Sequence, residues 1–176
     1  MNTLQSVAQA SESVAPRQTT PRYGVVSTAE LTAVSGLEFL RGIMDGRYPA
    51  PPIAETCAFE PIAVEHGFVA FDAQPGPLYL NPLGTVHGGW SSTLLDTVMA
   101  CAVHSTLKPG QGYTTLEFKI HFVRPILATA GKVRAEGKLI HGGGRVATSE
   151  GRILDEKGRV LAHGTETCLV FDVPKT

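Results

Sequence analysis

The chain has 176 residues, 43% of them apolar, which is enough to bury one hydrophobic core and suits a single domain. Its formal charge of −1 comes from 15 basic and 16 acidic residues, a balance that carries no nucleic-acid footprint and no acidic tail. Three widely spaced cysteines, Cys57, Cys101 and Cys168, fit reduced thiols in a cytoplasmic protein better than a disulfide framework, and six scattered histidines form no CxxC or HExxH pattern, so no metal site is expected.

In chain order, MNTLQSVAQASESVAPRQTTPRYG lacks an apolar h-region, so no signal peptide is expected and residues 1–22 read as a disordered lead. Residues 23–54 read as a helical extension and connector. Within them TAELTAVSGLEFLRGIMDG (28–46) offers a Thr cap, a Glu two residues later and apolar residues at 37, 40, 43 and 44, the pattern of one or two short helices. YPAPPIAE then stops any helix. Residues 55–174 read as the main domain. CAFEPIAVEHGFVAFDAQ (57–74) gives two short strands around a His-Gly turn, with Pro61 implying an edge or a bulge. A loop covers 78–87, and a helix runs from Gly88 to Leu107, where Lys-Pro-Gly ends it. This helix is the one stretch that mimics a membrane span, but Asp96 near its middle would cost about 2.5–3.5 kcal/mol in a bilayer, so a soluble core helix is the better reading.

Beyond the helix the period becomes two. In TLEFKIHFVRP, Leu116, Phe118, Ile120 and Phe122 alternate with Glu117, Lys119 and His121, a half-buried strand closed by Pro125. GKVRAEGKLIH (131–141), RVATSEGRILD (145–155) and RVLAHGTETCLVFD (159–172) follow, joined by a Gly-rich turn and a DEKG hairpin. The sum is an α+β chain of five or six antiparallel strands and one long, almost uncharged helix that the sheet must wrap.

Asp96 is therefore a question. A carboxylate in a buried helix needs hydrogen-bond partners or an open cleft. One reading is a structural aspartate held by Ser92, Thr93 or a backbone group. The other follows from His87-Gly88-Gly89 at the helix start. There the unpaired N–H groups of the first turn and the positive end of the dipole suit an oxyanion developing on a carbonyl, and glycines admit a substrate close to the backbone. Gly88 and Asp96 stand about 12 Å apart along one helix, too far to share a carbonyl carbon. A two-fold dimer with antiparallel helices would bring Gly88 of one chain to Asp96 of the other.

The spacing N-x5-H-G-G-x6-D (Asn81, His87, Gly88, Gly89, Asp96), followed by GYTTLEFKIHFVRP, resembles the hotdog-fold acyl-CoA thioesterases, and among them is similar to the phenylacetate-pathway and Asp- or Glu-dependent hydroxybenzoyl-CoA branch. The likeness spans roughly residues 36–172. It implies a hotdog fold, an antiparallel sheet around one long central helix, in dimers that pair into tetramers. It implies that Gly88 N–H polarises the thioester carbonyl and that Asp96 of the partner chain acts as nucleophile or general base. Asn81 and His87 would position water or thioester, and Thr115 would supply an assisting hydroxyl, unless it is an ordinary strand threonine. Substrate contacts are expected from Gly89 and Trp90, the latter with Leu94 lining the acyl pocket. Arg124 and the turn Gly143, Gly144 and Arg145 would hold coenzyme A, unless these arginines are merely solvated. Coenzyme A enters as part of the substrate, and no other cofactor, metal, nucleic acid or membrane is implied.

Other chemistries fit less well. HGGW and HGGG echo the oxyanion motif of α/β-hydrolases, but no G-x-S-x-G follows. Cys101 and His104 lie three apart on the helix and read as core residues rather than a nucleophile pair. Hydratase members of the fold carry an Asp-x4-His pair, and residue 101 is Cys. A non-catalytic acyl-CoA-binding module stays open as the alternative, although Asn81, His87, Gly88 and Asp96 together favour catalysis.

Overall fold

Ser27 and Ser35 each start a helix by the same local device. Each hydroxyl accepts the N–H of a glutamate three residues on, and that carboxylate returns to the serine N–H, giving α1 (Thr28–Thr32) and α2 (Gly36–Met44). The first cap is thus Ser27 rather than Thr28, because only Ser27 stands the reciprocal three residues from Glu30. The computed structural model describes residues 22–174, so all but the last residue of the expected disordered lead, 1–22, lie outside the described residues. YPAPPIAE is more than a connector: Pro52, in the first turn where its missing N–H costs nothing, opens α3 (Pro52–Thr56) and carries Ala54 into the core.

The strands are β1 (Phe59–Glu65), β2 (Phe68–Ala73), β3 (Gln111–Phe122), β4 (Val133–Gly142), β5 (Val146–Leu154) and β6 (Val160–Asp172), with a 3-10 turn at Pro77–Tyr79. They form one antiparallel sheet in the order β1-β2-β4-β5-β6-β3. Pro61 meets both expectations, since β1 is an edge strand and its register slips between Pro61 and Ala63.

Across this sheet lies α4 (Gly88–His104). Leu94, Leu95, Val98 and Met99 are buried in one cluster with Val69, Val133, Ala135 and Ile153. Gly137 and Gly151, paired in register, decide how closely it lies. A Cβ at Gly137 would come within 2.0 Å of the Val98 carbonyl oxygen, and one at Gly151 within 2.7 Å of Met99 Cγ. The helix ends three residues short of Leu107 because its last turn tightens, the Thr106 and Leu107 N–H groups donating to carbonyls three residues back. The N-terminal helices share this core: Phe39, Leu40 and Ile43 join it, and Phe39 stacks on His104 at 5.6 Å.

β3 departs from the simple alternation. Its register slips between Thr115 and Glu117, so Leu116 is the extra residue of a bulge, and Thr115 opposes Cys168 while Phe118 opposes Glu166. Cys168 and Glu166 are two apart on β6, so Thr115 and Phe118 share the helix-facing side although they stand three apart on β3. As the outermost strand, β3 leaves Leu116, Phe118 and Phe122 57%, 43% and 58% exposed in the single chain, more open than the half-buried strand expected.

Candidate active site

The loop before α4 is pinned at both ends. His87 N–H donates to the Tyr79 carbonyl at 2.7 Å and Val86 N–H to the Ile126 carbonyl at 2.8 Å. Asn81 braces the middle: its side-chain Oδ1 accepts from Leu83 and Thr85 N–H, and its side-chain amide donates to the Thr85 hydroxyl at 2.9 Å. One amide hydrogen is left for other partners.

His87 is the N-cap of α4, its Nδ1 accepting from Gly89 N–H at 2.8 Å. That bond commits Gly89, while Gly88 N–H has no partner among the described residues. Gly88 opens onto a cleft of about 330 Å³ that it lines with Asn81, Thr85, Ser91, Phe122 and Arg124. A Cβ at Gly88 would meet the Phe122 ring at 3.1 Å, so the glycine keeps the backbone accessible there. Arg124, beside it, donates to the Val160 carbonyl.

Asp96 lies two turns further along α4, half-buried. Ser92 and Thr93 do not hold it: their hydroxyls donate to the Gly88 and Gly89 carbonyls of their own helix. Its side-chain partner is the Thr115 hydroxyl, Oγ1 to Oδ1 3.4 Å, delivered by the β3 bulge. Burial raises the Asp96 carboxyl above the ordinary carboxylate range, and the Thr115 hydroxyl pulls the other way.

The same hydroxyl lies 2.6 Å from Oε1 of Glu166, a residue the sequence reading did not single out. Glu166 is 1% exposed, receives Cys168 Sγ–H on the same oxygen at 3.2 Å, and leaves Oε2 buried without a partner. Burial, with the nearby Asp96 and Glu117 charges, pushes its carboxyl up to about 7 against the bonds from Thr115 and Cys168. A signal was present: Ala162, Gly164, Cys168 and Val170 are the small and apolar inward set of β6, and Glu166 occupies one of its slots.

The other expected residues fall in different places. Trp90 is buried against Tyr79 at 5.6 Å, its indole N–H donating to the Cys57 carbonyl, and it does not line the cleft. Leu94 lies in the core. The turn of Gly143, Gly144 and Arg145 joins β4 to β5 beside Leu169, near the Thr115 level of the sheet and away from Gly88 and Arg124. Within one chain, then, Asn81, Gly88 and Arg124 share a cleft, whereas Asp96 and Thr115 form a second group. Cys101 and His104 make no nucleophile pair, since burial drives the thiol up to about 12 and the imidazole down to about 4. Among the described residues no three His, Cys, Asp or Glu side chains gather to hold a metal ion, and no helix is long and apolar enough to cross a membrane.

The comparisons bear on this geometry. A thioesterase superfamily model matches residues 83–162, which include Gly88, Asp96 and Thr115. A phenylacetic acid degradation-related protein from Ralstonia eutropha JMP134 is 31% identical, covering 74% of this chain and 98% of its own, with a TM-score of 0.68. The PaaI protein of the Escherichia coli phenylacetic acid degradation operon is 20% identical over 81% of this chain and 100% of its own, with a TM-score of 0.70. A Streptococcus mutans protein bound to acetyl CoA is 23% identical over 66% and 91%, with a TM-score of 0.61. These last two share the fold. No curated protein matches the sequence. With the sheet-wrapped helix, the matched family and the Ralstonia likeness together, the chain belongs to the thioesterase superfamily and is a hotdog-fold thioester hydrolase.

Proposed function

We propose that the chain hydrolyses an aryl- or medium-chain acyl-CoA thioester to the free acid and coenzyme A in a cytoplasmic homodimer that pairs into a tetramer. Asp96 of one protomer works opposite the Gly88 N–H of its partner. The observation that carries this reading is the state of Asp96. It sits half-buried on the one helix at the centre of the fold, held by Thr115 from a neighbouring strand rather than by its own turn. A carboxylate so placed, with its basicity raised by burial, suits attack on a thioester or activation of water.

The separation of the two groups supports a shared site. Gly88 N–H, unpaired beside a cleft, suits the oxyanion, but Asp96 is about 12 Å away along the helix. An antiparallel pair of α4 helices closes that gap, and the exposed apolar face of β3 is the surface that such pairing would cover. The acetyl CoA bound by the Streptococcus mutans protein supports a coenzyme A thioester as substrate. Phenylacetic acid degradation, named for two of the similar proteins, supports an aryl acyl group. In that arrangement Arg124 and Arg145 would meet the phosphates, Gly143 and Gly144 would line the pantetheine arm, and Asn81 with His87 would steady the thioester end.

The test is release of coenzyme A, followed with a thiol reagent, from phenylacetyl-, hydroxybenzoyl-, short- and medium-chain acyl-CoA. Asp96→Asn is expected to lose at least a hundredfold in kcat with a melting temperature no lower than that of wild type. Equal turnover by Asp96→Asn would remove Asp96 from the chemistry, and binding of acyl-CoA without cleavage would turn the chain into a binding module.

A further inference from the structure

Thr115 holds one hydroxyl proton between two carboxylates. Oγ1 is 2.6 Å from Glu166 Oε1 and 3.4 Å from Asp96 Oδ1, so a single proton cannot serve both contacts. If both acids were ionised, the proton would go to the shorter contact and Asp96 would face an oxygen lone pair. A second proton is needed, and burial decides which acid carries it. Glu166 is 1% exposed with Oε2 unpartnered, whereas Asp96 stands on the half-open flank of α4. An ionised carboxylate with an unpaired buried oxygen is the costlier of the two, so the negative charge belongs on Asp96 and the proton on Glu166.

We propose that Glu166 is a positioning residue for the hydrolysis: as a neutral acid it donates to Thr115 Oγ1 and thereby turns the Thr115 hydroxyl proton onto Asp96. The inference rests on the reading of Asp96 as nucleophile or base. It gives Thr115 a direction, and it gives the helix carboxylate a donor that fixes its orientation while leaving its other oxygen for the reaction. The titratable groups facing Glu166 are Asp96 and Cys101 from α4, Tyr113 and Glu117 from β3, and Cys168 from its own strand, while β5 presents the uncharged Ser149. Burial keeps both thiols at about 12 and the Tyr113 phenol well above its ordinary value, so these three stay neutral and only Asp96 and Glu117 bring charge. Both disfavour a second anion at Glu166. When rising pH ionises Glu166, the Thr115 proton swings to it, and Asp96 loses its donor.

The experiment compares wild type, Glu166→Leu and Glu166→Gln on the same acyl-CoA panel across pH, with Asp96→Asn alongside. Glu166→Leu, which fills the apolar site without a donor, is expected to lower kcat by about tenfold with KM unchanged. Glu166→Gln, whose amide donates at every pH, restores most of that loss and abolishes the alkaline fall in kcat that wild type shows. Independently of turnover, the infrared difference between wild type and Glu166→Gln at about pH 6 should contain the C=O stretch of a protonated carboxylic acid, where an unperturbed glutamate is already ionised. A carboxylate band in its place overturns the inference. So does wild-type turnover in Glu166→Leu, or an alkaline fall that survives in Glu166→Gln. Full activity of Asp96→Asn, or no cleavage of any thioester, instead sinks the reading of Asp96 and the role of Glu166 with it.

Discussion

At the residue scale the molecule turns on a few groups whose ordinary chemistry is altered by where they sit. His87 spends its Nδ1 lone pair capping α4 and so commits Gly89, which leaves the N–H of Gly88 as the donor open to a ligand. Glu166 has a consequence for stability that can be measured apart from catalysis. Its folded value of about 7 exceeds the ordinary 4.5, so the native state binds the proton more tightly than the unfolded chain. Stability from this group is therefore undiminished below pH 4.5 and falls as pH rises to about 7. Asp96 has the same sign, whereas His104, depressed to about 4, has the opposite one and gains stability as pH rises from 4 to 6.5. The difference between Glu166→Gln and wild type isolates the first term. In urea unfolding it should grow in favour of the variant from pH 4.5 to 7, by on the order of 3 kcal/mol. A pH-independent difference would mean that Glu166 is ionised in the native state at no cost.

At the scale of elements, the contact between α4 and the sheet sets the shape of the site. Gly137 and Gly151 let the helix backbone lie directly on β4 and β5, and that height fixes how far Asp96 stands from Thr115 on β3. The Val98 carbonyl is backbone and cannot swing aside, so Gly137→Ala must lift the helix. We expect a loss of at least 3 kcal/mol in urea unfolding, or failure to fold. A stability within 1 kcal/mol of wild type would show that the helix is free to ride higher. The β3 bulge acts beside it. By taking Leu116 out of the alternation, it allows Thr115 and the later Phe118 and Ile120 to face α4 together.

At the scale of the whole molecule, β3 is a 12-residue edge strand whose backbone groups and apolar side chains are open on one side. Long exposed edges invite pairing with another chain, and here pairing would also bring the two halves of the site together. Leu116→Lys, which places a charge on that edge without touching Gly88 or Asp96, is expected to shift the proposed dimer toward monomer in sedimentation velocity and to lower turnover in parallel. A fully active monomer would overturn the shared site.

Much of this was legible in the residues. The period-two runs marked β3 to β6, Pro61 pointed to an edge or a bulge and the structure has both, and the long uncharged helix required a sheet to wrap it. His87-Gly88-Gly89 at a helix start and a lone carboxylate eight residues later were local enough to be read as a possible site. Glu166 was not, because its meaning comes from two strands and a helix meeting at one hydroxyl, although its inward slot on β6 was a visible anomaly. The bulge that places Thr115 was hidden for the same reason: nothing in TTLEFKI by itself says where the register slips against β6. Trp90 looked like a pocket wall from its neighbours in sequence, yet the Cys57 carbonyl and the Tyr79 ring draw it into the core. The sequence by itself thus determined the strands, the long central helix and the family motif, since periodicity, caps and turn residues act over a few positions. Only the tertiary structure decided which side chains share a proton and which cleft the Gly88 N–H faces, because hydrogen bonding and desolvation depend on distances between segments far apart in the chain.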